Sequence, residues 1–262
     1  MAEKTEQDDA HEVLEEGDIY FLYRPKVRPE GEDEEVAAEG LGDVENFYLV
    51  LKPKGGPFRL INIGRKRLPE LEDHERNWGF VEMITRSGKD VEEELRRETY
   101  DTRTRGERVR PAARPAGEGV YAMVREGGKT HLAWALELPE RPGPVQKTFN
   151  IPPEASLAIS IKNPETGGGP RGAQLSEDQK AHYPKSLQKE FRDRKFATEN
   201  PHLLDYEGAE IIFIGARRNP EKAYHIDLEP EDESERSAEI FKQLRFAKSR
   251  HPVEPLLKGE WR

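Results

Sequence analysis

The sequence predicts a β-rich α+β fold. A mainly antiparallel sheet, arranged as a sandwich or a partly open barrel, is expected to carry a few peripheral helices. About eight short apolar runs are bounded by turn residues, which is the pattern of strands. The runs do not alternate with helical patterns, as a doubly wound parallel sheet would require. A Gly-Gly pair at the centre of residues 118–138 indicates a tight antiparallel hairpin.

The first part of the chain contains four predicted strands. Residues 18–23 are apolar on both faces, and Pro25 ends that strand. Residues 45–51 and 58–63 are apolar at alternate positions and flank a Lys-Gly-Gly-Pro turn, so they are expected to form an antiparallel hairpin. Residues 78–85 are the next strand candidate.

The two-residue turn Gly127-Gly128 fixes the register of the hairpin at residues 118–138. Large apolar side chains then meet on one face, where Tyr121 is opposite Trp134, and small side chains meet on the other. Both faces of the hairpin are therefore apolar enough to be buried against other parts of the protein. This predicts that the hairpin lies near the centre of the sheet.

The same register sets two carboxylates, Glu118 and Glu137, directly opposite each other. Like charges in that position destabilise a strand pair, so either the hairpin frays there or a cation or Arg114 lies between them. The two glutamates are candidates for acid–base chemistry or for binding a divalent metal, although no further oxygen ligands are identified. His131 lies about 20 Å from Glu137 at the strand rise, so it is interpreted as a core histidine rather than a general base.

Residues beyond the first hairpins are predicted to mix helices and strands. The predicted elements are a surface helix at 87–99, strands at 156–161 and 208–215, short helices beginning at 176 and 184, and the longest helix at 231–248. A tryptophan at position 261, almost at the end of the chain, indicates that the C-terminus docks onto the body of the protein or onto a partner.

The predicted organisation has four parts. They are an acidic disordered tail at residues 1–16, a β-rich domain at 17–164, a flexible glycine-rich linker or loop at 165–175, and a smaller α/β segment at 176–262 that packs on the first domain. Residues 1–40 contain 14 acidic and 4 basic residues, and thus the whole formal net charge of −10. The rest of the chain is formally neutral, so the acidity belongs to the N-terminal region.

Composition excludes several classes of protein and site. The chain has no cysteine, which excludes disulfides, thiolate metal sites and cysteine nucleophiles. No apolar run reaches the roughly 18 residues of a membrane span, so we expect a soluble cytoplasmic protein with no membrane partner. The histidines lack metal-ligand spacing, and no glycine-rich loop ends in the lysine and serine of a phosphate-binding loop. The sequence therefore indicates no metal, identifies no cofactor, and leaves catalysis and oligomeric state open.

The strongest candidate site is a cluster of arginines at residues 96–114. This segment contains seven arginines, no lysine and three acidic residues, and its net charge is +4. Guanidinium groups bind phosphates and carboxylates through paired donors, and Tyr100 adds an aromatic face nearby. The candidate anion-binding residues are Arg103, Arg105, Arg108, Arg110 and Arg114.

Three functional hypotheses follow from this cluster. The first is a binding module that presents residues 96–114 to an anionic partner, either a phosphate-bearing ligand or a nucleic acid. The second is an enzyme that acts on a phosphorylated small molecule, with the arginines as an anion clamp and Glu118 as acid, base or metal ligand. The third is a structural or interaction protein in which the arginines pair with the acidic N-terminal region, within one subunit or between subunits.

Overall fold

The computed structural model describes residues 11–29, 38–104, 106–167, 175–198 and 200–261. The strands are β1 (Glu12–Pro25), β2 (Arg28–Pro29), β3 (Val44–Pro53), β4 (Phe58–Ile63), β5 (Arg76–Thr85), β6 (Glu98–Thr102), β7 (Gly106–Arg110), β8 (Arg114–Glu126), β9 (Lys129–Leu138), β10 (Glu154–Lys162), β11 (Phe196–Ala197) and β12 (Glu210–Arg217). The helices are α1 (Gly88–Leu95), α2 (Pro144–Phe149), α3 (Lys185–Gln188), α4 (Pro220–Tyr224), α5 (Glu239–Gln243) and α6 (Glu254–Lys258). All of these helices are short.

Eight antiparallel strands form a closed barrel in the order β10-β12-β5-β4-β3-β1-β8-β9, and β9 then pairs with β10 to complete the circle. The predicted β-rich antiparallel fold with few peripheral helices is confirmed. The barrel is closed, however, rather than partly open or split into a sandwich. Closure satisfies the backbone groups that a sheet edge would leave unpaired.

Side chains that alternate along each strand fill the barrel interior. Phe21, Leu49, Met123 and Trp134 are buried there, and the rings of Phe21 and Trp134 meet edge to face at 5.8 Å. An eight-stranded barrel is just wide enough for such side chains to fill it. The interior is therefore a packed core.

Short helices cover the outer face of part of the barrel. Val91 and Leu95 of α1, Ile240 of α5 and Leu256 of α6 pack against the outward side chains of β1, β3 and β4. On the neighbouring face, Tyr224 covers the alanines of β8 and β9. This explains why several strands are apolar on both faces.

The C-terminus docks onto the barrel, as the tryptophan near its end predicts. The Trp261 ring lies 5.3 Å from Tyr23 and 5.5 Å from Phe149, measured between ring centroids. Phe149, on α2, also stacks on Phe47 at 4.7 Å. These aromatic contacts join the last residues to the core.

The first strand begins at Glu12 rather than near residue 18, so residues 12–16 are strand and not part of a disordered tail. The reason is a set of tertiary partners for its acidic side chains. Glu15 binds the buried guanidinium of Arg59 through two hydrogen bonds of 2.6 and 2.8 Å, and it accepts a third from Tyr121 at 2.8 Å. Residues 1–10 lie outside the described part of the chain.

The helix predicted at 231–248 is much shorter, because only Glu239–Gln243 is α-helical. Ser234 and Ser237 form a local hydrogen-bonded turn before it, and Arg245 has a φ of +58° just after it. Short polar side chains compete with the helical backbone for hydrogen bonds, which favours a turn. Its apolar residues Ile240 and Leu244 are nevertheless buried against the barrel.

The chain after residue 175 contributes a strand of the barrel. β12 lies between β10 and β5, and its residues Ile211 and Phe213 point into the core. The domain boundary predicted at residues 165–175 therefore does not divide the barrel, and most of that segment (168–174) lies outside the described residues. No helix in the described ranges is long and apolar enough to cross a membrane.

The β8–β9 hairpin has the predicted register from its Gly-Gly turn as far as Gly119, including Tyr121 opposite Trp134. Between Gly119 and Glu118 a β-bulge then shifts the register, so Glu118 is opposite Leu138 and not opposite Glu137. The prediction that the two glutamates face each other is therefore wrong. A bulge inserts an extra residue and redirects side chains, which separates these like charges.

Substituting Gly119 with alanine is expected to lower the free energy of unfolding by about 1–3 kcal/mol, because an added Cβ would have to displace packed backbone. That Cβ would lie 2.1 Å from the carbonyl oxygen of Ala135. Urea denaturation of Gly119→Ala checks this. Gly167→Ala, where a Cβ meets nothing within 4 Å, is the control. Equal stability of the two variants would contradict the close approach.

Candidate arginine hairpin

The arginine-rich segment folds into a β-hairpin outside the barrel, although the sequence interpretation treats it as a loop. β6 and β7 pair antiparallel, and β2 pairs with the other side of β7, so the order of this small sheet is β2-β7-β6. Thr99, Tyr100 and Val109 are residue types that favour strands. Gly106 enters β7 with a φ of +68°, a conformation that a residue without Cβ adopts easily.

The register divides the hairpin into two faces. Tyr100 is opposite Arg108 and Glu98 is opposite Arg110, and these four side chains share one face. On the other face, Asp101 is opposite Glu107, and Thr99 is opposite Val109, which is buried. The arginines of β7 and the acidic pair thus lie on opposite sides of the same two strands.

A buried arginine anchors the base of the hairpin. The Arg24 side chain is fully buried and donates hydrogen bonds to the carbonyl oxygens of Glu94 (2.8 Å), Arg96 (3.1 Å) and Pro111 (2.8 Å). The first two carbonyls end α1, where the helix dipole is negative, and the third follows β7. One guanidinium therefore ties together the two chain ends from which the hairpin emerges.

The five candidate arginines occupy different environments. Arg103 is exposed at the turn and Arg108 is half-buried, and neither forms an ion pair with a carboxylate in the described parts of the chain. Arg110 lies 3.8 Å from the Glu94 carboxylate and 3.6 Å from that of Glu98. Arg114 is buried, with 4 % of its surface exposed, so it does not join the others at the surface. Arg105 lies outside the described residues.

Glu118 is a buried structural ligand for the backbone of α5. It is 1 % exposed, and its two carboxylate oxygens accept hydrogen bonds from the amides of Glu239 (2.7 Å) and Ile240 (3.0 Å). Burial raises the pKa of Glu118 to about 8, against the effect of these two donors and with the added repulsion of Glu233 and Glu137. The carboxylate holds the first turn of a helix and is not directed at the arginine hairpin.

Glu137 lines an acidic cavity of about 340 Å³ on the outside of the barrel. Its carboxylate accepts a 2.8 Å hydrogen bond from the amide of Glu231, and burial raises its pKa to about 7. The other acidic residues around this cavity come from two distant stretches of the chain, residues 16–18 and 227–239, and Lys54 is the lysine at its wall. These acidic residues are Glu16, Asp18, Asp227, Glu229, Glu231, Glu233 and Glu239.

The cavity contains no arginine of the hairpin, and its negative charge would repel a phosphate group. Within the described ranges, no group of three or more histidine, aspartate or glutamate side chains is arranged to hold a metal ion. Sequence reasoning missed the cavity because its carboxylates are far apart along the chain, and no local spacing brings them together.

His131 is buried and belongs to a series of hydrogen-bonded side chains. Its Nδ1 is 2.9 Å from the hydroxyl of Tyr224, which is itself 2.9 Å from the hydroxyl of Ser156. Its Nε2 is 3.7 Å from Glu126, and not near Glu137. Burial lowers the pKa of His131, so the neutral imidazole is favoured. This arrangement is that of a core histidine.

No family model, no curated protein and no solved structure matches this chain. The function proposed below is therefore argued from the geometry of the described residues.

Proposed function

We propose that this protein is a binding module that presents its β6–β7 hairpin to an anionic, phosphate-bearing partner. One observation carries the proposal. Arg103 and Arg108 are at least partly accessible, lie on an exposed hairpin, and form no ion pair with the described carboxylates of their own chain. A guanidinium group in that state can offer its paired N–H donors to a phosphate.

The environments of the other arginines define their roles in the proposed site. Arg110, between Glu94 and Glu98, is partly neutralised and would orient the strand more than bind a ligand. Arg114 is buried and is left out of the binding surface. Among the described residues, the proposed site therefore consists of Arg103 and Arg108, and Arg105 is included as a neighbour in the sequence.

The geometry gives less support to an enzyme that acts on a phosphorylated small molecule. That hypothesis needs Glu118 as an acid, base or metal ligand beside the arginines. Both oxygens of Glu118 are engaged by backbone amides, and the adjacent cavity is lined by carboxylates. A phosphorylated substrate would meet repulsion there and not an anion clamp.

The described carboxylates of the acidic N-terminal region do not support its pairing with the arginines. Among the N-terminal acidic residues that the structure describes, Glu12 pairs with Arg125, Glu15 with Arg59 and Glu16 with Lys54. These bases lie outside the arginine segment. Within the segment, Arg110 pairs with the nearby carboxylates of Glu94 and Glu98.

Replacing Arg103, Arg105 and Arg108 together with alanine is expected to weaken binding of inorganic polyphosphate at least about tenfold, because each guanidinium supplies a charge-assisted hydrogen bond. Binding by the unaltered protein should fall steeply between about 50 and 200 mM salt, since phosphate contacts release counterions. Isothermal titration calorimetry at both salt concentrations measures the two effects.

The control is a variant that removes the same charge elsewhere on the surface. Arg86, Arg218 and Arg236 are exposed, so their joint replacement with alanine is expected to leave polyphosphate affinity within about twofold of the unaltered protein. No binding at the lower salt concentration, or an equal loss in both triple variants, would exclude the hairpin as an anion-binding site.

A further inference from the structure

We infer that the ligand of the hairpin is single-stranded nucleic acid, with a base stacked on Tyr100 and phosphates held by Arg108 and Arg103. This inference rests on the proposed function and adds the chemical class of the ligand. It is carried by the position of an exposed aromatic ring within the basic face of β6 and β7.

Tyr100 has the surroundings of a stacking platform rather than of a core residue. It is 38 % exposed, and the other exposed large hydrophobic residue in the described chain, Val13, has no aromatic ring. With this exposed fraction, the ring of Tyr100 is accessible to a ligand from solvent. Every nucleobase has a flat face that can cover such a ring.

The register brings a cation beside that ring. Tyr100 is directly opposite Arg108 in the strand pair, which places their Cβ atoms about 5 Å apart. A base on Tyr100 would therefore leave its adjoining phosphate within reach of the long Arg108 side chain. Stacking and phosphate contact from neighbouring residues are the combination that single-strand-binding surfaces use.

Two of the three acidic residues of the hairpin lie on the other face, and the third is beside an arginine. Asp101 and Glu107 lie across from each other on the opposite side of the strands, and the glutamate that shares the basic face, Glu98, is 3.6 Å from Arg110. The face that carries Tyr100 therefore exposes Arg108 beside the ring. A phosphate approaching from that side meets positive charge first.

The shape of the hairpin also reduces repulsion from the carboxylates on the barrel. Residues on both faces of β6 are exposed, so the strand stands clear of the barrel. Five residues at the strand rise reach about 17 Å. The Debye length in physiological salt is about 8 Å, so charges at the tip are largely screened from the carboxylates of the body.

The test uses the full chain and a fluorescein-labelled oligothymidylate, followed by fluorescence anisotropy at several salt concentrations. Tyr100→Ala is expected to weaken binding about tenfold at every salt concentration, because it removes stacking and no charge. Tyr100→Phe, which keeps the ring, is expected to restore the affinity. Arg108→Ala is expected to make the slope of log affinity against log salt shallower by about 0.7, the value for one phosphate contact on a single strand.

Inorganic polyphosphate, which has phosphates and no bases, is the comparison ligand. Tyr100→Ala is expected to leave its affinity unchanged, which also shows that the hairpin remains folded. Val13→Ala, at the other exposed large hydrophobic side chain, is the matched control for loss of surface apolar area and is expected to bind both ligands normally.

The outcomes separate the two proposals. If polyphosphate binds through the arginines but Tyr100→Ala leaves oligothymidylate affinity unchanged, the nucleic-acid inference is wrong and anion binding remains. Tighter binding of polyglutamate than of oligothymidylate would likewise overturn it in favour of an acidic protein partner. If none of these polyanions binds, the proposed function fails as well.

Discussion

Replacing Arg24 with methionine is expected to lower the free energy of unfolding by about 3 kcal/mol or more and to release the arginine hairpin from the barrel. Methionine fills a similar volume but donates no hydrogen bond, so three carbonyl groups at the base of the hairpin lose their partner. Each buried polar group left without a partner costs about 1–3 kcal/mol. Anion affinity is expected to fall too, although Arg24 is buried and cannot contact a ligand.

Urea denaturation measures the loss of stability. Amide hydrogen exchange measures how well the backbone amides of the hairpin are protected. We expect the amides of β6 and β7 to lose protection, while those of β3 and β8 in the barrel keep theirs. Arg125→Met is the control, since Arg125 lies near the end of β8 and pairs with an exposed carboxylate, that of Glu12, where ion pairs contribute about 0–1 kcal/mol. If Arg24→Met kept full stability and full protection of β6 and β7, Arg24 would not be the anchor.

The unfolding free energy is expected to fall by about 2–3 kcal/mol between pH 6 and pH 8, and Glu118 is expected to cause most of this fall. The pKa of Glu118 is raised to about 8 in the folded protein, first by burial and then by the neighbouring Glu233 and Glu137. In the unfolded chain its pKa returns to the ordinary value of 4.5. The folded state therefore binds a proton that the unfolded state has already released.

The difference between the folded and unfolded pKa of Glu118 sets the direction of the pH dependence. A raised pKa stabilises the folded state fully below the unfolded value, and the contribution is lost as the pH rises through about 8. Glu137, with a pKa raised to about 7, acts in the same direction. Burial lowers the pKa of both His131 and His251, so near pH 6 the unfolded chain holds protons on these histidines that the folded state does not. They therefore raise the unfolding free energy as the pH rises towards about 7 and offset part of the fall that the two glutamates cause.

Glu118→Gln tests this assignment, because the amide has the shape of the acid but cannot ionise. Its unfolding free energy is expected to change little from pH 6 to pH 8, because the remaining contributions of Glu137 and of the two buried histidines have opposite signs. Glu140→Gln, at an exposed position beyond the same hairpin, should retain the pH dependence of the unaltered protein. A Glu118→Gln variant with an unchanged slope would show that the carboxylate is not the titrating group.

Much of the barrel could be predicted from local patterns. The strands β3 and β4 and their turn follow from alternating apolar residues, and the Gly-Gly turn gives the β8–β9 register as far as Gly119. Both depend on contacts between residues close together in the chain. The prediction is wrong at Glu118, because the bulge there responds to the packing of the Gly119 backbone against Ala135 and to the amides of a distant helix.

The sequence predicted which segment carries the candidate site, but not which of its side chains share a surface. The concentration of arginines and the nearby Tyr100 are visible in the sequence, whereas their division between two faces of a hairpin is not. The sequence does not indicate that Arg24 is buried, since a single arginine after an apolar run looks like an ordinary surface residue. Its three carbonyl partners come from positions 94, 96 and 111, which only the fold brings together.

The amino-acid sequence by itself determined the antiparallel strands, the location of most turns and the place where positive charge concentrates, because periodicity, turn chemistry and charge are local properties. The tertiary structure decided that β9 meets β10 and closes the barrel, that Arg114 is buried while Arg103 is exposed, and that Glu118 holds a helix instead of facing Glu137. Each of these depends on burial and on partners far away in the chain, and no pattern of neighbouring residues contains that information.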